Sequence, residues 1–439
     1  MRKVSVLPAD DKTNGWSRIL PPRTAKPALQ GKIKADWIVL GAGFAGLGAA
    51  RRLAENRPGD KIVVIEANEA GEGASGRNSG FAIDVPHNTG SSMEELEKSH
   101  AYLRLARAGI DYLRQQVERY GIDCDWSPIG KFHTAVSERG VKEILEPTAR
   151  ELERLGEPYV WYDRDKLRER LGTAHFTAGI YTPGTVLVNP AALTRGLADN
   201  LPDNVVLYEH SPVVEYEFGN TIRLVTPEGE VEAPKLILAV NGWAEKFGFF
   251  KGRLLPFAAH ASLTRRLTDE EYEAFGKIES WGLTPANAFA SITMRFTNDR
   301  RILIRQNIHY CPSFRQSDER RRKLQQDHKR LFDERFPMLP KVNMEYTWTG
   351  YVCLSQNGTP GFGQVAPNIY TAVCQNAVGV AKGTISGVLA ADLACGISNS
   401  LIDDMKSLGT PNKLPPRPFL DVGVWARLGW ELWRARHEV

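Results

Sequence analysis

Residues 37–46 read WIVLGAGFAG, and this short stretch decides the fold. Four apolar residues come first, a GxGxxG pattern occupies 41–46, and the alanine-rich stretch 44–56 comes next with apolar residues at helical spacing. A strand, glycine turn and helix of this kind place the free N–H groups of a helix N-terminus against phosphate groups. Because a GxGxxG pattern alone is weak evidence, the prediction also depends on the next strand and the residue at its end.

A second apolar run, 61–65, is followed by Glu66, which lies 20 residues after Gly46. An acidic residue at the end of this second strand can accept hydrogen bonds from a ribose diol. With strand, helix and acid all in place, a chance glycine-rich turn is a poor explanation, and we predict a dinucleotide site. Its predicted residues in this part of the chain are Gly41, Gly43, Phe44, Ala45, Gly46, Glu66 and Ala67.

The composition of the 439 residues, 42% apolar and 25% charged, is that of a globular protein with two domains or one domain with insertions. The net charge of +4 is nearly balanced, and no aromatic residues are interleaved with the basic run 320–323. We therefore predict no nucleic-acid partner.

The five cysteines are scattered, without a CxxC pair or a Cys/His metal spacing. This usage predicts a reduced, cytoplasmic protein with no metal site. The N-terminus lacks an apolar signal segment, and glycine and proline interrupt the longest uncharged stretch, 346–381. Neither segment predicts a membrane span, and we expect a soluble protein.

Residues 71–80 read GEGASGRNSG and come soon after the acidic residue. With this loop the sequence resembles the D-amino-acid-oxidase-like family of FAD-dependent oxidoreductases. It looks most like the gamma-glutamylputrescine oxidases and is more distantly similar to sarcosine and glycine oxidases. The resemblance implies that this loop runs beside the flavin, with Gly73, Ala74, Ser75, Arg77, Asn78 and Ser79 as contacts.

Later segments carry the same resemblance. It implies that the backbone at Val213 holds the adenine and that Gly242 and Trp243 lie in a turn under the cofactor. The glycine-rich stretch 374–383 would return the chain to the flavin through Gly379, Val380 and Ala381, with a helix beginning near Thr384. Some family members attach the flavin to a cysteine near the position of Cys353. The gamma-glutamylputrescine-like pattern has no cysteine there, so non-covalent FAD is expected.

The predicted fold class is α/β: a Rossmann-type FAD-binding domain with an inserted α+β substrate domain on a mixed or antiparallel sheet. We predict an N-terminal arm over 1–35 and a discontinuous FAD-binding domain over 36–84, 185–250 and 350–400. The substrate domain would comprise 85–184 and 251–349. An amphipathic tail, 401–439, would complete the chain.

The substrate pocket is harder to predict, and no catalytic residue is assigned apart from the flavin itself. His260 and Arg305 lie on predicted strands that would form the floor of the pocket, and an arginine there suits a carboxylate. For both, a purely structural role in a strand is the alternative. Lys382 falls about one position away from a lysine that binds substrate in sarcosine-oxidase-like members.

The resemblance implies oxidation of a small-molecule amine or amino acid. Hydride would leave the carbon next to nitrogen for flavin N5, the imine would hydrolyse, and oxygen or another acceptor would take the electrons. One alternative is a dehydrogenase that passes electrons to a quinone or carrier protein. Another is a non-catalytic binding module that has kept the flavoprotein fold. An oligomer is compatible with the sequence.

The tail is amphipathic over 424–433, where it has three tryptophans, and arginines lie nearby. This composition suits either a membrane surface or packing on protein. We expect the tail to pack on its own body or on a partner subunit rather than on a membrane.

Overall fold

The computed structural model describes residues 1–86, 93–285 and 291–439. The strands are β1 Arg2–Lys3, β2 Gly31–Lys34, β3 Trp37–Leu40, β4 Ile62–Ile65, β5 Phe81–Ala82, β6 Lys131–Ala135, β7 Val160–Asp163, β8 Ala178–Thr182, β9 Val186–Leu187, β10 Val205–Tyr208, β11 Glu215–Glu217, β12 Ile222–Val225, β13 Gly229–Ala233, β14 Lys235–Leu238, β15 Leu255–Thr264, β16 Trp281–Pro285, β17 Thr293–Phe296, β18 Ile302–Tyr310, β19 Met344–Leu354, β20 Gly361–Ala366 and β21 Ile369–Val373.

The α-helices are α1 Gly15–Arg18, α2 Phe44–Asn56, α3 Ala74–Arg77, α4 Met93–Tyr120, α5 Glu138–Gly140, α6 Glu146–Leu155, α7 Arg164–Leu171, α8 Pro190–Asp199, α9 Asp269–Ala274, α10 Asp318–Arg335, α11 Ala381–Cys395, α12 Ser400–Ser407 and α13 Phe419–Arg434. A π-helical turn covers Val141–Leu145, and 3-10 turns cover Asn241–Phe247 and Arg436–Glu438.

A six-stranded sheet in the order β10-β4-β3-β14-β21-β20 contains the predicted strand–turn–helix unit. Its strands are parallel except for β20, which pairs with β21 in the antiparallel sense. Every residue of β3 and β4 is buried, as expected for strands of a parallel sheet covered on both faces. The prediction of an α/β fold with a Rossmann-type sheet is confirmed.

Helices α2 and α11 pack closely together over this sheet, because glycines occupy their contact. A Cβ atom at Gly48 of α2 would lie 2.8 Å from the carbonyl oxygen of Thr384. One at Gly387 of α11 would overlap the carbonyl group of Ala45. Helix α11 begins at Ala381, three residues before the predicted start, because the glycine-rich segment enters the helix: Gly383 donates its N–H to the Gly379 carbonyl.

An eight-stranded sheet in the order β19-β15-β18-β17-β16-β6-β8-β7 forms the second layer of the structure. Its pairs are antiparallel except for β16 with β6, which are parallel. A core of large side chains, among them Trp281, Phe296 and Phe332, fills the space between this sheet and α10. This mixed sheet is the predicted substrate layer, and its strands come from two separate parts of the chain.

The N-terminal 35 residues are built into the body. Strands β1 and β2 form the two edges of a five-stranded sheet in the order β1-β11-β12-β13-β2. Between them, Trp16 of α1 is 1% exposed and contacts Trp348 with ring centroids 6.4 Å apart. The arm therefore bridges the five-stranded sheet and the substrate layer.

Two features of the chain bear on the predicted domain limits. The predicted limit at 349/350 falls inside β19, so the chain leaves the eight-stranded sheet only after Leu354. Beyond α11, the chain continues into α12, whose Ile402 and Met405 pack against α4 and α11.

Within the described residues, no single helix has both the length and the apolarity to cross a bilayer. Taken together, α11 and α12 meet those two criteria, but they are bent by 117° relative to each other.

Candidate active site

The glycine turn after β3 is tightly packed. Gly41 has φ +102°, a left-handed conformation that favours glycine, and a Cβ there would lie 2.7 Å from the Ala239 carbonyl oxygen. A Cβ at Gly46 would overlap the carbonyl oxygen of Gly41. These two glycines therefore let the first turn of α2 pack against the ends of β3 and β14.

The N-terminus of α2 meets the second glycine-rich segment. The backbone N–H of Phe44 donates to Ser75 Oγ at 3.0 Å, and a Cβ at Gly43 would lie only 2.6 Å from the same oxygen. Gly43 itself is the N-cap of α2 and supplies no capping side chain. The first turn of α2 thus directs its N–H groups toward a loop that carries further polar side chains, which is a favourable arrangement for phosphate.

Glu66 lies at the carboxyl end of β4, beside the glycine turn. Its carboxylate accepts hydrogen bonds from the backbone N–H groups of Ala42 (2.7 Å) and Asn68 (3.1 Å). Burial raises the pKa of Glu66, and these two hydrogen bonds oppose the rise. A carboxylate has about four acceptor positions, so two such bonds orient it and leave capacity for ribose hydroxyls.

The segment after β10 adjoins Glu66. The backbone N–H of Ser211 donates to the Glu66 carbonyl at 2.9 Å, and buried Val213 lies two residues further on. The structure thereby brings the predicted adenine-holding segment to the end of β4 that carries the predicted ribose-binding acid.

A cavity of about 1150 Å³ opens from these elements toward the eight-stranded sheet. Ten of the predicted cofactor residues line it: Gly43, Phe44, Ala45, Ala74, Ser75, Arg77, Asn78, Ser79, Gly379 and Val380. The other predicted cofactor residues, all in the described part of the chain, lie outside the lining: Gly41, Gly46, Glu66, Ala67, Gly73, Val213, Gly242, Trp243 and Ala381.

Two predicted cofactor contacts have other partners in the structure. The Trp243 ring lies on the Phe314 ring, with centroids 4.1 Å apart, and a Cβ at Gly242 would meet the same phenylalanine. In their place Ala239 and Asn241 line the cavity. The sequence could not show this, because Phe314 is about 70 residues further along the chain.

The Arg77 guanidinium is also engaged elsewhere. It donates to Asp10 (2.7 Å) and Asp11 (2.8 Å) of the N-terminal arm, and its Nε donates to the Glu72 carbonyl (2.8 Å). The residue lines the cavity, but its charge is used to hold the arm. Arg77 thus remains a predicted flavin contact, while its guanidinium group holds the arm.

The chain after β21, which the resemblance predicts to return to the flavin, supplies wall residues beyond the individually predicted Gly379, Val380 and Ala381. Cys374, Asn376 and Ala377 have φ between +53° and +64°, which turns the backbone sharply at the carboxyl end of β21. Gln375 lines the cavity, and its buried Oε1 accepts no hydrogen bond from the described residues. An orphaned acceptor of this kind fits a ligand that donates hydrogen bonds.

Strand alternation separates the two predicted residues of the substrate sheet. Ala259 and Ala261 of β15 line the cavity, whereas His260 between them is 1% exposed and outside the lining. Its ring contacts Thr349 Oγ1 and His309 Nδ1, each at 3.0 Å. Burial is the main cause that lowers the pKa of His260 to about 2. His260 therefore lies outside the cavity lining, which favours the structural role in a strand that was its alternative.

Arg305 of β18 pairs with Ala261 across the sheet, so the two residues share the cavity face. Burial lowers the pKa of Arg305 to about 10, and the guanidinium still carries its charge at neutral pH. Thr293 of β17 pairs with Arg305 on its other side and also lines the cavity. The floor of the cavity thus carries a cation with a hydroxyl beside it.

Lys382 lies in the first turn of α11 and lines the same cavity. It is 3% exposed, and its Nζ lies 5.3 Å from the centroid of the Tyr102 ring. Burial lowers the pKa of Lys382 to about 8. The cavity therefore brings Lys382 and Arg305 together in one lining, while it leaves out His260.

Taken together, these features define a dinucleotide-binding α/β protein in which the cofactor segments 43–45, 74–79 and 379–380 share one cavity with a cationic floor. Glycines clear the space in front of α2, Glu66 is oriented by backbone groups, and the wall carries an orphaned acceptor at Gln375. The residues present fit a flavin dinucleotide.

Comparison with known proteins gives the family. The family model described as "DAO: FAD dependent oxidoreductase" matches residues 36–393, which is most of the chain. The chain belongs to this family, and it is an FAD-dependent oxidoreductase. The family resemblance found in the sequence is confirmed.

Individual relatives are similar over most of their length. The probable oxidoreductase OrdL of Haemophilus influenzae is 27% identical over 378 residues, 82% of this chain and 83% of that protein. The gamma-glutamylputrescine oxidoreductase of Escherichia coli is 28% identical over 383 residues, 84% of this chain and 85% of that protein. The crystal structure of glycine oxidase from Geobacillus kaustophilus has a TM-score of 0.69 at 19% identity, covering 87% of this chain and 100% of that one.

Proposed function

We propose that this enzyme oxidises the carbon–nitrogen bond of an amine or amino acid whose substrate form carries a carboxylate. The observation that carries the proposal is the position of Arg305. Its charged side chain lies on the cavity floor, in the same lining as the cofactor segments 43–45 and 74–79. A guanidinium pairs with a carboxylate through two parallel hydrogen bonds, which fixes the orientation of the substrate.

Lys382 and Tyr102, which line the same cavity, also suit a carboxylate-bearing substrate. A lysine whose pKa is about 8 is still mainly charged at neutral pH, and a carboxylate would compensate its buried charge. Tyr102 also lines the cavity, and its buried hydroxyl has no hydrogen-bond partner in the described chain. Both groups can therefore contact a polar substrate without first breaking a hydrogen bond that the structure records.

The cofactor would be held by backbone N–H groups at the start of α2, by Glu66 and by the 74–79 segment. Bound FAD supplies the oxidant, which accepts a hydride from the carbon next to nitrogen. The protein has to hold that carbon in place and exclude other nucleophiles until the imine is released to water. Hydrolysis of the imine gives a carbonyl compound and the free amine or ammonia, and oxygen receives the two electrons as hydrogen peroxide.

We propose that the FAD is bound without a covalent link. Cys353 lines the cavity, but it is 2% exposed, and a hydrogen bond with Cys374 together with burial raises the pKa of its thiol. A thiol that stays protonated is a poor nucleophile toward a flavin. Acid precipitation should therefore release the flavin into the supernatant.

The similarity to gamma-glutamylputrescine oxidoreductase supports a substrate that bears both an amine and a distant carboxylate. A cavity of about 1150 Å³ exceeds the usual range of small-ligand pockets, about 300 to 1000 Å³. It leaves room for an extended substrate beside the cofactor.

The test is anaerobic flavin reduction with a panel of primary amines, secondary amines and amino acids. We expect bleaching by carboxylate-bearing amines, and about a ten- to hundredfold rise in KM for them in Arg305→Met, from the loss of charged hydrogen bonds. Exposed Arg266, just beyond β15, gives the matched control Arg266→Met, which should behave as wild type.

Peroxide release in air separates the alternatives. Bleaching without peroxide in air would mean a dehydrogenase that uses another acceptor. Flavin that no member of the panel reduces would contradict the proposal and favour a binding module. Equal KM changes for substrates with and without a carboxylate would contradict the role of Arg305.

A further inference from the structure

The last long helix, α13, has an unusual outward face. Positions 419, 422, 426, 430 and 433 are spaced by three and four residues, so they form one stripe along the helix. Phe419, Val422, Trp430 and Trp433 in this stripe are 72%, 66%, 52% and 56% exposed. A surface helix ordinarily directs charged side chains outward, and α13 directs aromatic ones.

The opposite face of α13 is fixed to the body. Leu428 is buried and packs with Phe257 and Tyr310 at the end of the eight-stranded sheet. Seven residues of α13 line the cavity: Leu420, Gly423, Val424, Arg427, Leu428 and Glu431, together with Phe419, which lies at the cavity rim and begins the stripe. The helix cannot rotate to bury its outward stripe without giving up these contacts.

Both ends of α13 are anchored as well. Before the helix, Arg417 donates to the Tyr310 hydroxyl at 2.9 Å. After it, the buried carboxylate of Glu438 accepts hydrogen bonds from the backbone N–H groups of Val136 (2.8 Å) and Ser137 (3.1 Å). The exposed stripe is therefore a fixed surface and does not result from a frayed terminus.

The charges beside the stripe favour one occupant. Residues 413–439 contain five basic and three acidic side chains, a net charge of +2. The acids are neutralised within the protein: Asp421 lies 3.6 Å from Arg417, Glu431 lies 2.6 Å from Arg427, and Glu438 is buried. Arg434 remains largely exposed on one flank of the stripe, 3.8 Å from Glu143, and exposed Arg436 lies 4.7 Å from the centroid of the Trp433 ring. Tryptophan with flanking arginine suits the headgroup region of an anionic bilayer.

A second copy of the chain would find too little surface on this helix alone. Sixteen residues at about 1.5 Å each and a width of about 10 Å give a face of roughly 240 Å². A stable protein interface needs about 800 Å² from each partner. A bilayer has no such requirement, because an interfacial helix needs only to insert its apolar face by about 5 to 10 Å.

We infer that α13 docks this enzyme on the surface of an anionic lipid bilayer. The stripe of Phe419, Val422, Trp430 and Trp433 inserts among the headgroups, while Arg434 and Arg436 contact the anionic lipids. Because the inner face of α13 lines the cavity, docking holds the cavity directly behind the bilayer surface.

The experiment is co-sedimentation of the full-length holoenzyme with phosphatidylcholine vesicles that contain or lack phosphatidylglycerol. We expect binding to the anionic vesicles and weaker binding at high salt. In Trp430→Ser/Trp433→Ser the partition coefficient should fall by about tenfold or more. Neither tryptophan lines the cavity, so flavin content and activity in solution should stay unchanged.

The matched control is Trp161→Ser, which also removes an exposed tryptophan. Trp161 lies on β7, one edge strand of the eight-stranded sheet, whereas α13 packs on β15 and β18 toward the other edge. The control variant should bind vesicles like wild type. Wild-type protein that stays in the supernatant at low salt would overturn the inference, and so would an equal loss in Trp161→Ser. A dimer in sedimentation velocity without lipid that Trp430→Ser/Trp433→Ser converts to monomer would assign the stripe to a second copy and also overturn it.

Discussion

Arg77 Nη2 lies 2.7 Å from Asp10 Oδ1, and both side chains are only 6% exposed. This buried ion pair joins the N-terminal arm to α3, the short helix that carries Ser75 to the N-terminus of α2. Asn14 of the arm adds hydrogen bonds to the carbonyl groups of Gly71 (3.0 Å) and Gly76 (3.2 Å). The arm therefore holds in place the loop that the family resemblance assigns to the flavin.

Arg77→Met should lower both stability and flavin retention. Breaking a buried ion pair costs up to about 3 to 5 kcal/mol, and the loss here should be smaller because Lys12 Nζ still lies 2.9 Å from Asp10 Oδ2. The measurements are the urea midpoint and the ratio of flavin to protein absorbance after gel filtration. Arg139→Met removes an exposed pair with Glu143 and should change neither quantity. Full flavin occupancy in Arg77→Met would contradict the proposed role of the arm.

Gly43→Ala should abolish flavin binding for two separable reasons. The new Cβ would lie 2.6 Å from Ser75 Oγ, and it would also occupy the space that a pyrophosphate approaches. In Gly43→Ala/Ser75→Ala the nearest remaining atom is the position-75 Cβ at 3.6 Å, so the melting temperature should recover. Flavin binding should not recover with it.

The control for this substitution is Gly59→Ala, where a Cβ would have no neighbour within 4 Å. It should retain its flavin. Recovery of flavin in the double variant would show that only the clash with Ser75 matters, and it would contradict a pyrophosphate site in front of Gly43.

The buried histidines predict acid sensitivity of the fold. Burial lowers the pKa of His260 to about 2 and those of His309 and His328 to about 4, against an ordinary value of 6.5. The unfolded chain thus binds more protons below pH about 6.5, so stability falls as the pH decreases from there toward the folded-state pKa values. Each histidine contributes up to about 1.4 kcal/mol per pH unit.

Urea unfolding between pH about 7 and about 4 measures this dependence. The slope of the unfolding free energy against pH should be smaller in His260→Gln than in wild type. The kcat/KM of the folded variant near neutral pH should stay close to that of wild type. A large loss of kcat/KM with unchanged stability would return His260 to the active site.

The sequence predicted best those features whose partners are close along the chain. The GxGxxG turn, α2 and Glu66 occupy about 30 consecutive residues, so one βαβ unit fixes their relation. The ion pair between Arg77 and Asp10 could not be predicted, because Asp10 lies 67 residues earlier, in a segment without periodicity.

Which of His260 and Arg305 faces the cavity depends on the register of the eight-stranded sheet, and the sequence alone does not give that register. Both residues lie on strands of the substrate layer, and only the pairing of Arg305 with Ala261 shows which of them faces the cavity. The register also shifts between Ala259 and Ala261, an irregularity that composition does not reveal. The outward stripe of α13 could not be predicted either, because an amphipathic pattern does not show which face of the helix packs on the rest of the protein.

Lys382 predicts a pH dependence of substrate binding. Its folded-state pKa of about 8 lies below the ordinary 10.5, so the side chain is charged below pH about 8 and loses its proton above it. KM for carboxylate-bearing substrates should therefore rise above that pH. In Lys382→Met, KM should be higher near neutral pH and nearly constant up to pH about 9, because Arg305, with a pKa of about 10, stays charged.

The same substitution should stabilise the protein without substrate. A depressed lysine pKa means that folding is penalised while the side chain is charged, and the penalty disappears as the pH rises from about 8 toward 10.5. Lys382→Met removes the penalty, so its urea midpoint should exceed that of wild type at neutral pH and converge with it in alkali. Exposed Lys323 gives the control Lys323→Met, which should leave both KM and the midpoint unchanged. A KM profile in Lys382→Met that still rises above pH about 8 would assign the titration to another group.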